Sequence, residues 1–235
     1  MTTKVVAAGF CLEYNRRVVK KIIIAMSPKI EVISRNDFFK IISRRYSVPI
    51  ARKIVVLSEG TLTPLKDMRI IYSAVSSIKP GTILEIGTFY GWFTLGLFLN
   101  DVYADVYTID IYKEMRKKVP SCQKRQVLAK NKIGQAFKNK IPFIHQILGD
   151  SRNLDTYSIL KGKTVDFAFI DGNHSFKAVL RDTRNVLRFA RKNSIIFWHD
   201  FNNETGVDKA LNEILCKDKL EIFHIDKTWL AFSIL

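Results

Sequence analysis

Five acidic residues end or nearly end five apolar runs: Glu85 in TILEI, Asp110 in VYTID, Asp150 in ILGD, Asp171 in VDFAFID and Asp200 in IIFWHD. A carboxylate accepts hydrogen bonds from hydroxyls and amines of a ligand. Asp110 is suited to both hydroxyls of a ribose, and Asp150 to the exocyclic amine of an adenine. Between Glu85 and the apolar helical run of Phe93, Leu95, Leu97 and Phe98 lie Gly87 and Gly91. Glycine has no Cβ, so backbone there approaches a ligand closely. Open α/β sheets hold nucleotides outside the carboxyl ends of their strands. These residues therefore point to an adenine-nucleoside-like cofactor. The four-residue glycine spacing is not the G-x-G-x-x-G fingerprint, which argues against a nicotinamide dehydrogenase. His174 follows Asp171 by three positions, and His199 immediately precedes Asp200. Histidine titrates near neutrality, which suits a base that removes a hydroxyl proton. His145 and His224 read as structural, inside a strand and a hairpin.

To bring those residues to one edge, the chain needs a sheet. From Gly81 onward, apolar strands at 82–86, 105–110, 141–148, 165–170, 194–199, 220–225 and 229–234 alternate with helices at 91–99, 114–138, 154–161, 175–192 and 205–217. Alternation of this kind implies a parallel sheet covered on both faces. The last two strands are joined only by a turn at 226–228, which permits only an antiparallel hairpin. The expected class is α/β: a doubly wound, mainly parallel seven-stranded sheet whose last strand is antiparallel. In 175–192, Ser175 is expected to cap the helix, with Val179, Thr183, Val186, Leu187 and Ala190 on one face. Residues 1–80 read as a mostly helical, basic extension, with a helix at 67–77. The break at Lys79-Pro80-Gly81 separates it from a cofactor-binding domain at 81–235.

The chain has 235 residues and a net charge of +16. The charge is uneven: residues 1–80 carry 15 Lys/Arg against 5 Asp/Glu, and residues 113–140 carry ten against Glu114 alone. Such patches attract anions, whether nucleic acid, anionic glycan or membrane surface, and equally serve as a solvated face. Apolar runs are too short to span a bilayer. The segment 5–12 lacks a cleavage site, so no signal peptide is expected. Cys11, Cys122 and Cys216 are widely spaced with no CxxC, which points to reduced thiols, no zinc site and a cytoplasmic setting.

Taken together, the motifs resemble class I S-adenosylmethionine-dependent methyltransferases. The closer resemblance is to a small O-methyltransferase-like group (methyltransferase 24-like) with an E-x-G-x-x-x-G motif and an I-D-G-x-H-S-[YF] motif. This chain carries Glu85-Ile86-Gly87 to Gly91, Ile170-Asp171-Gly172-Asn173-His174-Ser175-Phe176, and Trp198-His199-Asp200-Phe201. The resemblance covers about 58–235. It implies that Glu85, Gly87, Thr88 and Gly91 line the methionine part of the cofactor. It implies too that Asp110 and Ile111 hold the ribose, that Asp150 and Ser151 hold the adenine, and that Asp171 sits below the methyl group. Arg191-Lys192-Asn193-Ser194 stands where relatives have Pro-Gly-Gly. Some relatives bind a divalent metal with an acidic residue at the Asp171 position and an acidic pair ending the fifth strand. Here that pair is His199-Asp200; oxygen ligands suit magnesium and an imidazole does not, so a metal is not favoured.

The reading is a methyltransferase acting on a hydroxyl of a small-molecule or glycan acceptor, one that an adjoining basic segment would help to steer if anionic. His174 is the expected base, Asp171 faces the acceptor pocket, and His199 either orients the acceptor, pairs with Asp171 or is a structural histidine under the sheet edge. Asn173 and Asp200 stand at the same mouth. Tyr90, Trp92, Phe201 and Trp229 either line the acceptor pocket or pack in the core. An RNA methyltransferase is the alternative that the charge brings in, although no RNA-binding module with stacking aromatics is visible. A binding module without chemistry is a second alternative, opposed by the intact Gly87, Gly91, Asp110 and Asp171.

Overall fold

A computed structural model of the protein describes residues 2–7, 10–15, 28–57, 61–112, 115, 133–138, 141–151, 153 and 156–235, with backbone alone at 2–15. In chain order the elements are β1 (Thr2–Ala7), β2 (Phe10–Asn15), β3 (Glu31–Ile33), α1 (Arg35–Tyr46), α2 (Leu65–Ile78), β4 (Thr82–Ile86), α3 (Trp92–Asn100), β5 (Asp105–Asp110), β6 (Ile144–Leu148), α4 (Thr156–Leu160), β7 (Val165–Ile170), α5 (Phe176–Leu187), β8 (Ala190–Trp198), α6 (Thr205–Lys217), β9 (Phe223–Ile225) and β10 (Ala231–Ile234). β4 and most of β7 are apolar on both faces, as strands covered by helices on both sides must be. The sheet order is β3-β9-β10-β8-β7-β4-β5-β6. β4, β5, β6, β7 and β8 run parallel. β10 pairs antiparallel with both β8 and β9.

Alternate residues of each strand feed two cores. Phe38 and Ile42 of α1, Ile71 and Tyr72 of α2, and Phe93 and Leu97 of α3 pack on Ile83, Phe169 and Phe197. On the opposite face, Val179 and Val186 of α5 and Leu211 and Ile214 of α6 pack on Leu84, Ala168 and Trp198. The chain runs β4, β5, β6 outward on one side, then returns to the other side of β4 for β7. The gap between β4 and β7 is thus the switch point where doubly wound sheets open a crevice.

The structure corrects several expectations. The sheet has eight strands, not seven, because β3 pairs in parallel with β9 through Glu31–Phe223, Val32–His224 and Ile33–Ile225. Three residues carry too little periodicity to announce a strand, and only the partner defines it. The extension is not simply helical either. β1 and β2 form an antiparallel pair, in keeping with the β-branched run Thr2, Thr3, Val5, Val6. The helix foreseen at 175–192 ends at Leu187, and Ala190–Trp198 is strand, so Ala190 and the segment Arg191-Lys192-Asn193-Ser194 belong to β8. Ser175 is the N-cap residue but makes no side-chain cap bond. Most of the helix foreseen at 114–138 lies outside the described residues; 133–138 form turns. Cys216 is a free, exposed thiol.

Candidate active site

Backbone hydrogen bonds carry the parallel register past the strand ends. Gly87 N donates to Ile109 O at 2.8 Å, Asp171 N to Ile86 O at 2.8 Å, and His199 N to Ile170 O at 3.1 Å. Glu85, Asp110, Asp171, His199 and Asp200 consequently share one edge. At Gly87 (φ 112°), a Cβ would stand 2.2 Å from the Asp171 carbonyl oxygen, so glycine is what lets β4 and β7 close on each other here.

The turn after β4 is held from below. Glu85 is fully buried; its Oε2 accepts from Thr94 Oγ1 at 2.5 Å and from Thr108 Oγ1. Thr108 Oγ1 also contacts Thr88 Oγ1 at 2.6 Å. Burial pushes the Glu85 pKa up to about 8, against the pull of both threonines. Asp110 accepts from the Phe89 amide at 2.8 Å and the Ile111 amide at 2.7 Å. One carboxylate thus ties the glycine turn to the end of β5, with Ile111 adjoining. Gly91 (φ 82°) opens α3 and has Phe137 and Gly134 against it. Asp150 follows β6, and its carbonyl receives the Asn153 amide at 2.8 Å. The Ser151 hydroxyl donates to buried Asp182 at 2.7 Å, turning toward α5.

Across the switch point, two imidazoles meet a group of carboxylates. His174 Nε2 lies 3.1 Å from Asp200 Oδ2 and 3.4 Å from Asp171 Oδ1, and its Nδ1 lies 3.9 Å from Glu204 Oε1. His199 Nδ1 lies 3.4 Å from Asp171 Oδ1 and 3.7 Å from Asp200 Oδ2. Its Nε2 lies 3.4 Å from Asp67 Oδ2. Burial works against the Asp171 charge, yet His199 and His174 hold its carboxyl well below the ordinary carboxylate range. Burial likewise disfavours charge on both rings, but the carboxylates outweigh it and raise the pKa of each. Asp200 sits in the left-handed region (φ 60°). Its carbonyl takes the Asn203 and Glu204 amides, and its Oδ1 takes Asn203 Nδ2 at 2.6 Å, leaving Oδ2 toward His174.

Asn173 Oδ1 accepts the Ser175 amide at 2.9 Å and so shapes the entry to α5. Phe201 is buried in the α5/α6 core with its ring 5.0 Å from His224. Tyr90 is buried, tilted on Phe89 at 4.1 Å. Trp92 is partly exposed at the start of α3. Trp229 stands edge-on to His199 at 5.8 Å. Two residues were missed from sequence. Asp67 is fully buried on α2 and receives the Trp229 amide at 3.1 Å; an acid inside an apolar helical stretch was its only signal. Gly206, in the first turn of α6, would place a Cβ 2.2 Å from the His174 carbonyl oxygen, and nothing in its neighbours marks that approach.

Among the described residues, Asp171, His174 and Asp200 have ligand atoms within 4.8 Å of one another. Magnesium demands near-octahedral oxygen ligands, and this set offers two carboxylates and an imidazole. The remaining position, His199, is a second imidazole. The donor set does not fit magnesium.

The methyltransferase-domain family matches residues 84–201, a little over half of the chain. No curated protein matches the sequence. The O-methyltransferase NovP is 16% identical, with a TM-score of 0.60 over 86% of this chain and 99% of that one. The calicheamicin methyltransferase CalS11 is 17% identical, with a TM-score of 0.54 over 72% and 77%. A Podospora anserina methyltransferase solved with S-adenosylhomocysteine is 15% identical, with a TM-score of 0.50 over 95% and 97%. These likenesses are of fold. The mainly parallel sheet closed by an antiparallel strand is the fold these methyltransferases share. The chain belongs to the methyltransferase-domain family and is an S-adenosylmethionine-dependent enzyme of that class.

Proposed function

We propose that the protein transfers methyl to a hydroxyl oxygen of a small molecule or sugar, with His174 as the base. The observation that carries this reading is the Asp171–His174–Asp200 group across the switch point from the glycine turn. S-adenosylmethionine, when bound, supplies a methyl activated by its sulfonium. Glu85, Gly87, Thr88 and Gly91 would line its methionine part, Asp110 and Ile111 its ribose, and Asp150 and Ser151 its adenine. The protein then has two tasks: to hold a hydroxyl in line with the methyl, and to remove its proton. Asn173 and Asp200 border the acceptor, with Tyr90 and Phe201 packed behind. As the oxygen–methyl bond forms and the carbon–sulfur bond breaks, His174 takes the hydroxyl proton on Nδ1, the nitrogen turned away from Asp171 and Asp200, while Nε2–H stays with those carboxylates. Asp200 and Asp171, at 3.1 and 3.4 Å, stabilise the resulting imidazolium. Asp171 is itself a poor base, because the same imidazoles hold its pKa low. A sugar acceptor is supported by a fold neighbour described as a TDP-rhamnose 3'-O-methyltransferase. Calorimetric titration with S-adenosylmethionine and S-adenosylhomocysteine, with NAD as control, tests the cofactor; a screen of sugar nucleotides and phenols follows. Binding of both sulfur nucleosides and not NAD is expected, and no binding of either would reject the reading.

A further inference from the structure

His199 stands where metal-dependent relatives have an acid, and its surroundings give it a different task. The ring is 4% exposed and has a carboxylate near each nitrogen: Asp171 and Asp200 on Nδ1, Asp67 on Nε2. An ionised carboxylate only accepts protons, so a ring facing carboxylates at both ends is stable with a proton on each nitrogen. Buried ions persist when they are paired. Here each side supplies what the other lacks: Asp67 is fully buried, and among the described residues its carboxylate accepts one hydrogen bond, from the Trp229 amide at 3.1 Å. The His199 contacts are charge contacts, without hydrogen-bond alignment at either nitrogen.

We propose that His199 is the resident cation of this site: kept protonated by Asp67, it does between Asp171 and Asp200 what a divalent ion does in metal-dependent relatives, so this enzyme works without a metal. A cation seated on the His199 side of Asp171 and Asp200 would need the lone pair of His199 Nδ1, and a proton occupies it. Both carboxylates that His174 uses are shared with His199, so His199 and Asp67 act on the base through them and are positioning residues. Asp67 comes from α2, outside the residues that match the family. The inference rests on reading this edge as the catalytic site, but its test needs neither cofactor nor acceptor.

The test uses the full chain freed of metal with a chelator. Nitrogen NMR of the histidine rings should show His199 doubly protonated near pH 7.5. Asp67→Asn should shift it to a neutral ring, and Asp67→Glu, which restores the carboxylate, should return it. Titration with Mn2+ and Zn2+ should give no stoichiometric binding to the wild type, while His199→Asp should gain Mn2+ binding. A neutral His199 ring in the wild type overturns the proposal. So does stoichiometric Mn2+ or Zn2+ binding that Asp171→Asn abolishes. If Asp67→Asn does not fold, the wild-type spectrum and the His199→Asp titration still decide. An S-adenosylhomocysteine titration of the same samples reports separately on the cofactor reading. Absent binding beside a protonated His199 would reject the cofactor reading while leaving the resident cation between Asp171 and Asp200 established.

Discussion

At the level of single residues, His174 and Asp110 carry the most chemistry. Replacing His174 by Ala should lower kcat by about a hundred- to ten-thousand-fold, the usual worth of a positioned base, while leaving S-adenosylhomocysteine affinity intact. Full turnover in the variant would remove it from that role. Because neighbouring carboxylates raise its pKa above the ordinary 6.5, the free base becomes more abundant as pH rises. Activity should therefore climb through a limb set above that value, and a flat profile from pH 6 upward would contradict it. Asp110→Ala should weaken cofactor binding and also release the Phe89 amide, at a stability cost of about 1–3 kcal/mol; unchanged affinity by calorimetry would reject the ribose role. The letters of this edge were legible because an acid or histidine at the end of an apolar run stands out without knowledge of the fold. Asp67 was not, since its meaning lies in a ring that arrives from β8, far along the chain.

Among the elements, the joint between β4 and β7 matters most. It depends on Gly87, whose φ of 112° and 2.2 Å approach to the Asp171 carbonyl leave no room for a side chain. Gly87→Ala should cost more than the roughly 1 kcal/mol of an ordinary backbone change, since both strain and a backbone clash oppose it. Thermal unfolding would read this, and a wild-type melting temperature would show that the strands can part cheaply. The bounds of β4, β5 and β7 could be read from sequence because these strands are short, apolar and ended by acids. The end of α5 could not. Its apolar face runs on through Leu187 and Ala190, and only the pairing of Val165 with Ala190 shows that strand has begun. β3 escaped for the same reason, as its three residues become strand only beside β9.

For the molecule as a whole, one buried acid sets a pH dependence of folding. Glu85 has a folded pKa of about 8 against an ordinary 4.5. Between those values the folded state holds a proton that the unfolded chain has released, so stability falls as pH rises through this window. Glu85→Gln has nothing to titrate there. Melting curves of the two proteins should diverge from pH 5 to 8, with the wild type losing ground, and parallel curves would reject the protonated state. No helix among the described residues is long and apolar enough to cross a membrane. The pairing of β3 with β9, and the bond from Arg45 to the Leu235 carbonyl 190 positions away, tie early segments to late ones. On the ribosome, residues 31–78 emerge long before the strands that cover them. The apolar faces of α1 and α2 must wait, uncovered, while the rest is translated. That stretch of nascent chain is where a ribosome-bound chaperone would find the most to shield.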